Sequence, residues 1–293
     1  MRKILVALLC LSMMGSTWGN PIPTVMGYGP GTLDRTIRLM IADVESHSNL
    51  RFIPQNIPGA NGVIALRQYF SSDQKENSIL GITAGQVLYE ALVNPKNNYL
   101  DRIRIIGPVV VSPLSIAAGP KSDISNIRFL FDRSQPSKVI NIGSAGESHD
   151  MLINLIAQHS HHNIASVRFK GSDDAFAALM GGHIDLQVSV YGDFKSKGSS
   201  VRVLSVAQKN LIDGVPGLQQ YVPTAELVNF FAIAIDKQQN NYQALADALT
   251  MATSAPGSRI LQLQTQGYQI DLNKNNDYME RKVLPVYKQW NKK

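Results

Sequence analysis

The residues of this chain that could do chemistry sit mainly in glycine-rich turns. Gly27-Tyr28-Gly29-Pro30-Gly31-Thr32, Pro58-Gly59-Ala60-Asn61-Gly62, Thr83-Ala84-Gly85, Gly143-Ser144-Ala145-Gly146 and Lys170-Gly171-Ser172 each follow a short apolar run and precede an amphipathic one. A turn between the end of a strand and the start of a helix leaves backbone N–H groups unpaired at the positive end of the helix dipole. Glycine lets a ligand approach those groups closely. The chemistry this favours is capture of an anion, without any bond being broken. Any one such turn is also what an ordinary tight turn looks like; the repetition is what points to binding.

Other chemistries lack their residues. Gly27-Tyr28-Gly29-Pro30-Gly31 has the wrong spacing for a dinucleotide loop, and the second strand ends at Pro54-Gln55-Asn56 without the acidic residue that loop needs. No Gly-Lys-Ser/Thr phosphate loop and no G-x-S-x-G elbow occur. His159, His161 and His162 cluster, but no carboxylate or cysteine stands beside them at metal-ligand spacing, so loop placement is the simpler reading. Ser144, Ser148 and Ser172 each stand near a helix start, where capping accounts for them without nucleophilic chemistry.

The turns need elements to hold them. Apolar runs at Thr24–Met26, Leu50–Ile53, Ile79–Ile82, Val139–Ile142 and Val167–Phe169 read as strands. Helical patterns follow through Ile37, Ile41 and Val44, up to Tyr69, over Val87–Val93, over Met151–Ala157 and over Ala175–Met180. Repeated strand–turn–helix units give parallel sheets covered by helices, an α/β fold. In the fifth unit Ser172 is the expected N-cap, Asp173 and Asp174 suit the positive end of the helix, and Gly181-Gly182 ends it. Ile103–Ala118, broken by Gly107-Pro108 and Ser112-Pro113, reads as extended chain crossing between two lobes; Phe230–Ile235, after Pro223-Thr224-Ala225-Glu226, reads as the return. The expected division is lobe one at 20–112 plus 231–293 and lobe two at 113–230.

Export is expected from the start of the chain. Arg2 and Lys3 precede the apolar run Ile4–Met14, and Thr17 and Gly19 fit the −3 and −1 positions of signal cleavage, so 1–19 is a candidate signal peptide. Cys10, the only cysteine, would leave with it, and Leu9 before it does not suit a lipoprotein site. A mature chain without thiols has no disulfide, zinc–thiolate site or cysteine nucleophile. Losing Arg2 and Lys3 lowers the formal charge from +6 to +4. The remaining basic residues form no stripe with aromatics, which argues against nucleic-acid binding.

Taken in order along the chain, these motifs resemble the extracytoplasmic receptors of tripartite tricarboxylate transporters, the Bug family. The resemblance is carried by Gly31-Thr32-Leu33-Asp34 before Arg35 and Arg38, and by Asn56-Ile57-Pro58-Gly59-Ala60-Asn61-Gly62. It continues through Gly143 to Gly146, Lys170-Gly171, Gly181-Gly182-His183-Ile184-Asp185 and Pro223-Thr224-Ala225-Glu226. It implies a two-lobed fold like the type II periplasmic-binding proteins, each lobe a sheet flanked by helices. It also implies a monomeric, non-enzymatic periplasmic receptor that takes a small carboxylate, uses no cofactor or metal, and delivers its ligand to membrane transporter subunits. By match, Gly29, Pro30, Gly31, Thr32, Thr83, Ala84, Ser144, Gly146, Ser148, Lys170 and Gly171 would touch the ligand; Lys170, ending a strand at the expected cleft, is either the charged contact or a solvated surface lysine. Ser189, where many members carry an aspartate, completes the set. Asn61 stands where the family has a glycine, and Asp150 where a histidine is common. Glu147 would repel an anion unless turned away or protonated. A sensor of the same fold, and a periplasmic hydrolase using Ser144 or Ser148, are the competing readings.

Overall fold

The computed structural model describes residues 20–87, 99–240 and 242–272. The expected signal segment, most of the third helix and the chain end lie outside them. The described residues form an α/β fold whose strands are linked in one continuous pairing network.

Strands β1 (Ile22–Met26), β2 (Phe52–Asn56) and β3 (Ile79–Thr83) are parallel, with β1 in the middle. Strand β4 (Ile103–Ile105) is short, and β5 (Val109–Ala118) is long and fully buried. Strands β6 (Val139–Ser144), β7 (Asn163–Arg168) and β8 (Leu186–Val190) form a second parallel group, with β6 in the middle. Strand β9 (Arg202–Val206) pairs antiparallel with β5. Strand β10 (Val228–Asp236) runs antiparallel to β3, β4 and β5, and β11 (Gln269–Asp271) pairs with the start of β5. One half of β5 therefore belongs to each sheet: Val109–Pro113 pairs with β10 and β11, and Leu114–Ala118 with β8 and β9.

The expected break at Gly107-Pro108 separates β4 from β5. The expected break at Ser112-Pro113 does not occur. Pro113 lies within β5 opposite Val228, at the last register position shared with β10 before the strand passes to its second set of partners. A proline without an N–H is tolerated where pairing changes hands.

Helices cover the sheets as the apolar periodicity requires. Helix α1 (Thr32–His47) buries Ile37, Met40, Ile41 and Val44, spaced for one face. Full burial of each such side chain contributes about 1.5–3 kcal/mol. Helices α2 (Val63–Ser71), α3 (Glu147–His159), α4 (Ser172–Gly181) and α5 (Tyr191–Ser196) follow, then α6 (Gln243–Ser254) and α7 (Arg259–Gln262). Gly182 ends α4 with φ 73, the left-handed C-cap that its sequence suggests. Ser172 is a correction: Gly171 is the N-cap of α4, and the Ser172 hydroxyl is used elsewhere. Ser144 and Ser148 likewise do not cap α3, whose N-cap is Gly146 without a side-chain bond.

Candidate functional site

The C-terminal ends of the parallel strands in both sheets face each other. From β1 the chain runs through Gly27–Gly31 into α1; from β3 it passes Thr83 into a helical turn beginning at Ala84; from β6 it runs through Ala145-Gly146 into α3; from β7 it passes Lys170-Gly171 into α4. Ligand sites in open α/β sheets form at this edge.

The two sides touch through backbone. Gly29 N–H donates to Lys170 O at 2.9 Å, and Thr32 N–H donates to the Ser172 hydroxyl at 3.0 Å. Glycine is required at this approach. A Cβ on Gly171 would stand 2.2 Å from Pro30 O, and one on Gly31 would stand 2.5 Å from the Ser172 hydroxyl oxygen.

A cleft of about 430 Å³, measured out into its open mouth, lies between these turns. Of the residues singled out from sequence, Gly29, Gly31, Thr32, Thr83, Gly146, Ser148, Gly171 and Ser189 line it. Pro30, Ala84, Ser144 and Lys170 do not. Pro30 is exposed, Ala84 is fully buried, and Ser144 is buried with its hydroxyl on Gly146 O at 3.2 Å. Lys170 is exposed, and its carbonyl accepts from Gly29 N–H and so holds the Gly29 loop. A strand end fixes the backbone, whereas a long lysine stem carries its charge to water.

Sequence reasoning missed several lining residues. Tyr28, Leu33, His149 and Ser172 flank the singled-out turn residues, so the same turns could have suggested them. Asn229 and Phe231 come from β10, far along the chain, and no local signal marks them.

Among the described residues, no ionised side chain lines the cleft. His149 is buried, and desolvation lowers its pKa to about 4, so the ring is neutral near pH 7. Its Nδ1 accepts from Ala145 N–H at 3.1 Å, which leaves the ring proton on Nε2. Tyr28 is held far above its ordinary pKa by burial, and its phenol donates to Asn61 O at 3.0 Å.

Charge is concentrated on two flanks. On one, Arg35 Nη1 donates to both Asp173 oxygens at 2.6 Å, and Nη2 donates to Asp193. Asp193 also accepts from Ser189 Oγ at 3.0 Å. On the other, Arg168 pairs with Asp150 and donates to Asn61 Oδ1 at 2.6 Å, while Asn61 donates to Glu147. Burial raises the Glu147 pKa, opposed by Arg168 and the Asn61 bond. Asn61 has φ 55, the left-handed region favoured by glycine and next by asparagine, so its side chain is free to bridge this flank. His159, His161 and His162 bond to backbone carbonyls of Leu155, Gln135 and Phe129, and the described residues contain no group of three metal-ligand side chains.

No protein-family model matches the chain. A UPF0065 protein of Bordetella bronchiseptica is 27% identical over 234 residues, covering 76% of this chain and 70% of that one. The periplasmic binding protein BugD superposes with a TM-score of 0.77 at 19% identity, covering 93% of this chain and 95% of that one. MatC from Rhodopseudomonas palustris with bound malate superposes at 0.76 and 15% identity, covering 93% and 98%. In sequence and in fold together, the chain is similar to the Bug-type periplasmic solute-binding proteins.

Proposed function

We propose that this protein is a periplasmic receptor that closes two lobes on a small carboxylate and passes it to membrane transporter subunits. The observation that carries this reading is the cleft itself: helix starts from both sheets line it, and among the described residues no ionised side chain does. Backbone N–H groups and helix dipoles at those starts favour a carboxylate. The neighbours support the reading: BugD is a periplasmic binding protein, and MatC holds malate.

Lobe one comprises 20–112 plus 231–293, lobe two comprises 113–230, and β5 and β10 carry the hinge. The ligand sits against Gly29, Gly31, Thr32, Thr83, Gly146, Ser148, Gly171 and Ser189, with His149 as an added donor. The protein acts as a monomer, exported by a cleaved 1–19 segment. No described helix is long and apolar enough to cross a membrane. The protein binds without turnover, and the Ser144 hydroxyl is engaged by Gly146 O within its own turn.

A thermal-shift screen of the chain from Asn20 against mono-, di- and tricarboxylates tests this reading. Binding to the native state raises the melting temperature by linkage. At least one carboxylate is expected to shift it saturably; none doing so at millimolar concentration defeats the proposal.

A further inference from the structure

Hydrogen-bond accounting in the cleft separates its donors from its acceptors. His149 offers Nε2–H, because Ala145 N–H occupies its Nδ1. Asn229 offers its amide protons, because its Oδ1 accepts from Phe230 N–H at 3.0 Å. Both line the cleft and suit a carboxylate, which only accepts.

Ser189 is the opposite case. It also lines the cleft and is 1% exposed. Its one hydroxyl proton goes to Asp193 Oδ2 at 3.0 Å. Asp193 is 2% exposed and cannot donate in return while paired with Arg35. Ser189 Oγ therefore has only lone pairs left to offer a ligand. A ligand oxygen placed against it would meet an acceptor, and an apolar group would leave it unpaired; either costs binding. A ligand hydroxyl or ammonium satisfies it.

We propose that Ser189, backed by Asp193 and Arg35, selects carboxylates that also carry a hydrogen-bond donor, a hydroxyl or protonated amine, over the unsubstituted acid. The inference rests on the receptor reading and adds the class of ligand.

The test is calorimetric titration of the mature chain with three matched sets: succinate, malate and aspartate; propionate, lactate and alanine; phenylacetate, mandelate and phenylglycine. In any set that binds, the hydroxy or amino acid is expected to bind at least about fivefold tighter than its parent, one net hydrogen bond. Ser189→Ala is expected to abolish that ratio from both sides, weakening the hydroxy or amino acid that loses its acceptor and strengthening the parent that no longer leaves one unpaired. Ser189→Thr, which keeps the donor to Asp193, retains it and guards against Ser189→Ala failing to fold. Equal affinities within a set, or a preference that survives Ser189→Ala, overturn the inference and leave the receptor intact. A uniform weakening of all acids in Ser189→Ala shows a structural role and also overturns it. Binding of none of the nine defeats this inference; binding of some other carboxylate in the wider screen then keeps the receptor reading alive.

Discussion

The inside of the cleft and its two flanks handle charge in opposite ways. Inside, hydroxyls, a neutral histidine, an amide and helix starts face the ligand space. Outside, Arg35 meets Asp173 and Asp193 across the two sheets' loops, while Arg168 pairs with Asp150 and Glu147 on one side and reaches the other only through Asn61. The difference teaches that full charges here are paired with one another at the flanks, while the groups facing the cleft are neutral. Taking a full charge out of water is costly unless it is paired, so a cleft that must empty and refill is better lined by neutral groups.

The hardest way to break that arrangement is to stop the two sides meeting. Gly171→Ala places a Cβ against Pro30 O, so closure fails with its Gly29–Lys170 bond. Calorimetry is expected to show an affinity loss of about 100-fold, roughly 2.7 kcal/mol, with an unfolding free energy within about 1 kcal/mol of the parent.

Acid attacks the neutral interior. His149 has its pKa lowered from 6.5 to about 4 by burial. The unfolded chain binds its proton first, so stability is complete above pH 6.5 and is lost as pH falls towards 4. Urea titrations should register about 3 kcal/mol from this group across that window. His149→Gln should flatten it, and an unchanged slope would remove His149 as the cause.

The flank at Arg35 is next. Arg35→Met strands Asp193, which is 2% exposed beside a guanidinium whose side chain is 40% exposed. Because the arginine is partly solvated, the cost should be about 2 kcal/mol, below that of breaking a fully buried pair. Thermal melts check this, and adding Asp193→Asn should restore part of the loss.

Smallest is the other flank. Glu147 lies in the first turn of α3, and burial raises its pKa. Protonation as pH falls removes a negative charge from the mouth, so anion affinity should rise as pH drops through that pKa. Glu147→Gln should strengthen binding about threefold at pH 7, within the range of a modest charge interaction. Weaker binding would show instead that the Glu147–Asn61–Arg168 bridge matters more as a clasp.

Much of the fold was legible because helices and strands write their periods into apolar residues. The α1 face at Ile37, Ile41 and Val44 and the Gly181-Gly182 stop of α4 are examples. The lining turns were legible for a related reason: close backbone approach demands glycine, as Gly31 and Gly171 show. Serine roles were not. Ser172 looks like an N-cap locally, yet its hydroxyl meets Thr32, 140 positions away. Lys170 reads locally as an anion contact or a solvated lysine, and nothing in its spacing marks the bond that its carbonyl accepts from Gly29.

By itself the sequence determined the α/β pattern, the turns at the strand ends and the unpaired N–H groups that those turns offer. These depend on spacing within some twenty residues and on backbone chemistry common to all helices. Only the tertiary structure decided which charges cancel one another, that His149 is neutral and that Ser189 has its proton committed to Asp193. Those facts arise from burial and from partners brought together across two sheets, and neither leaves a mark on local spacing.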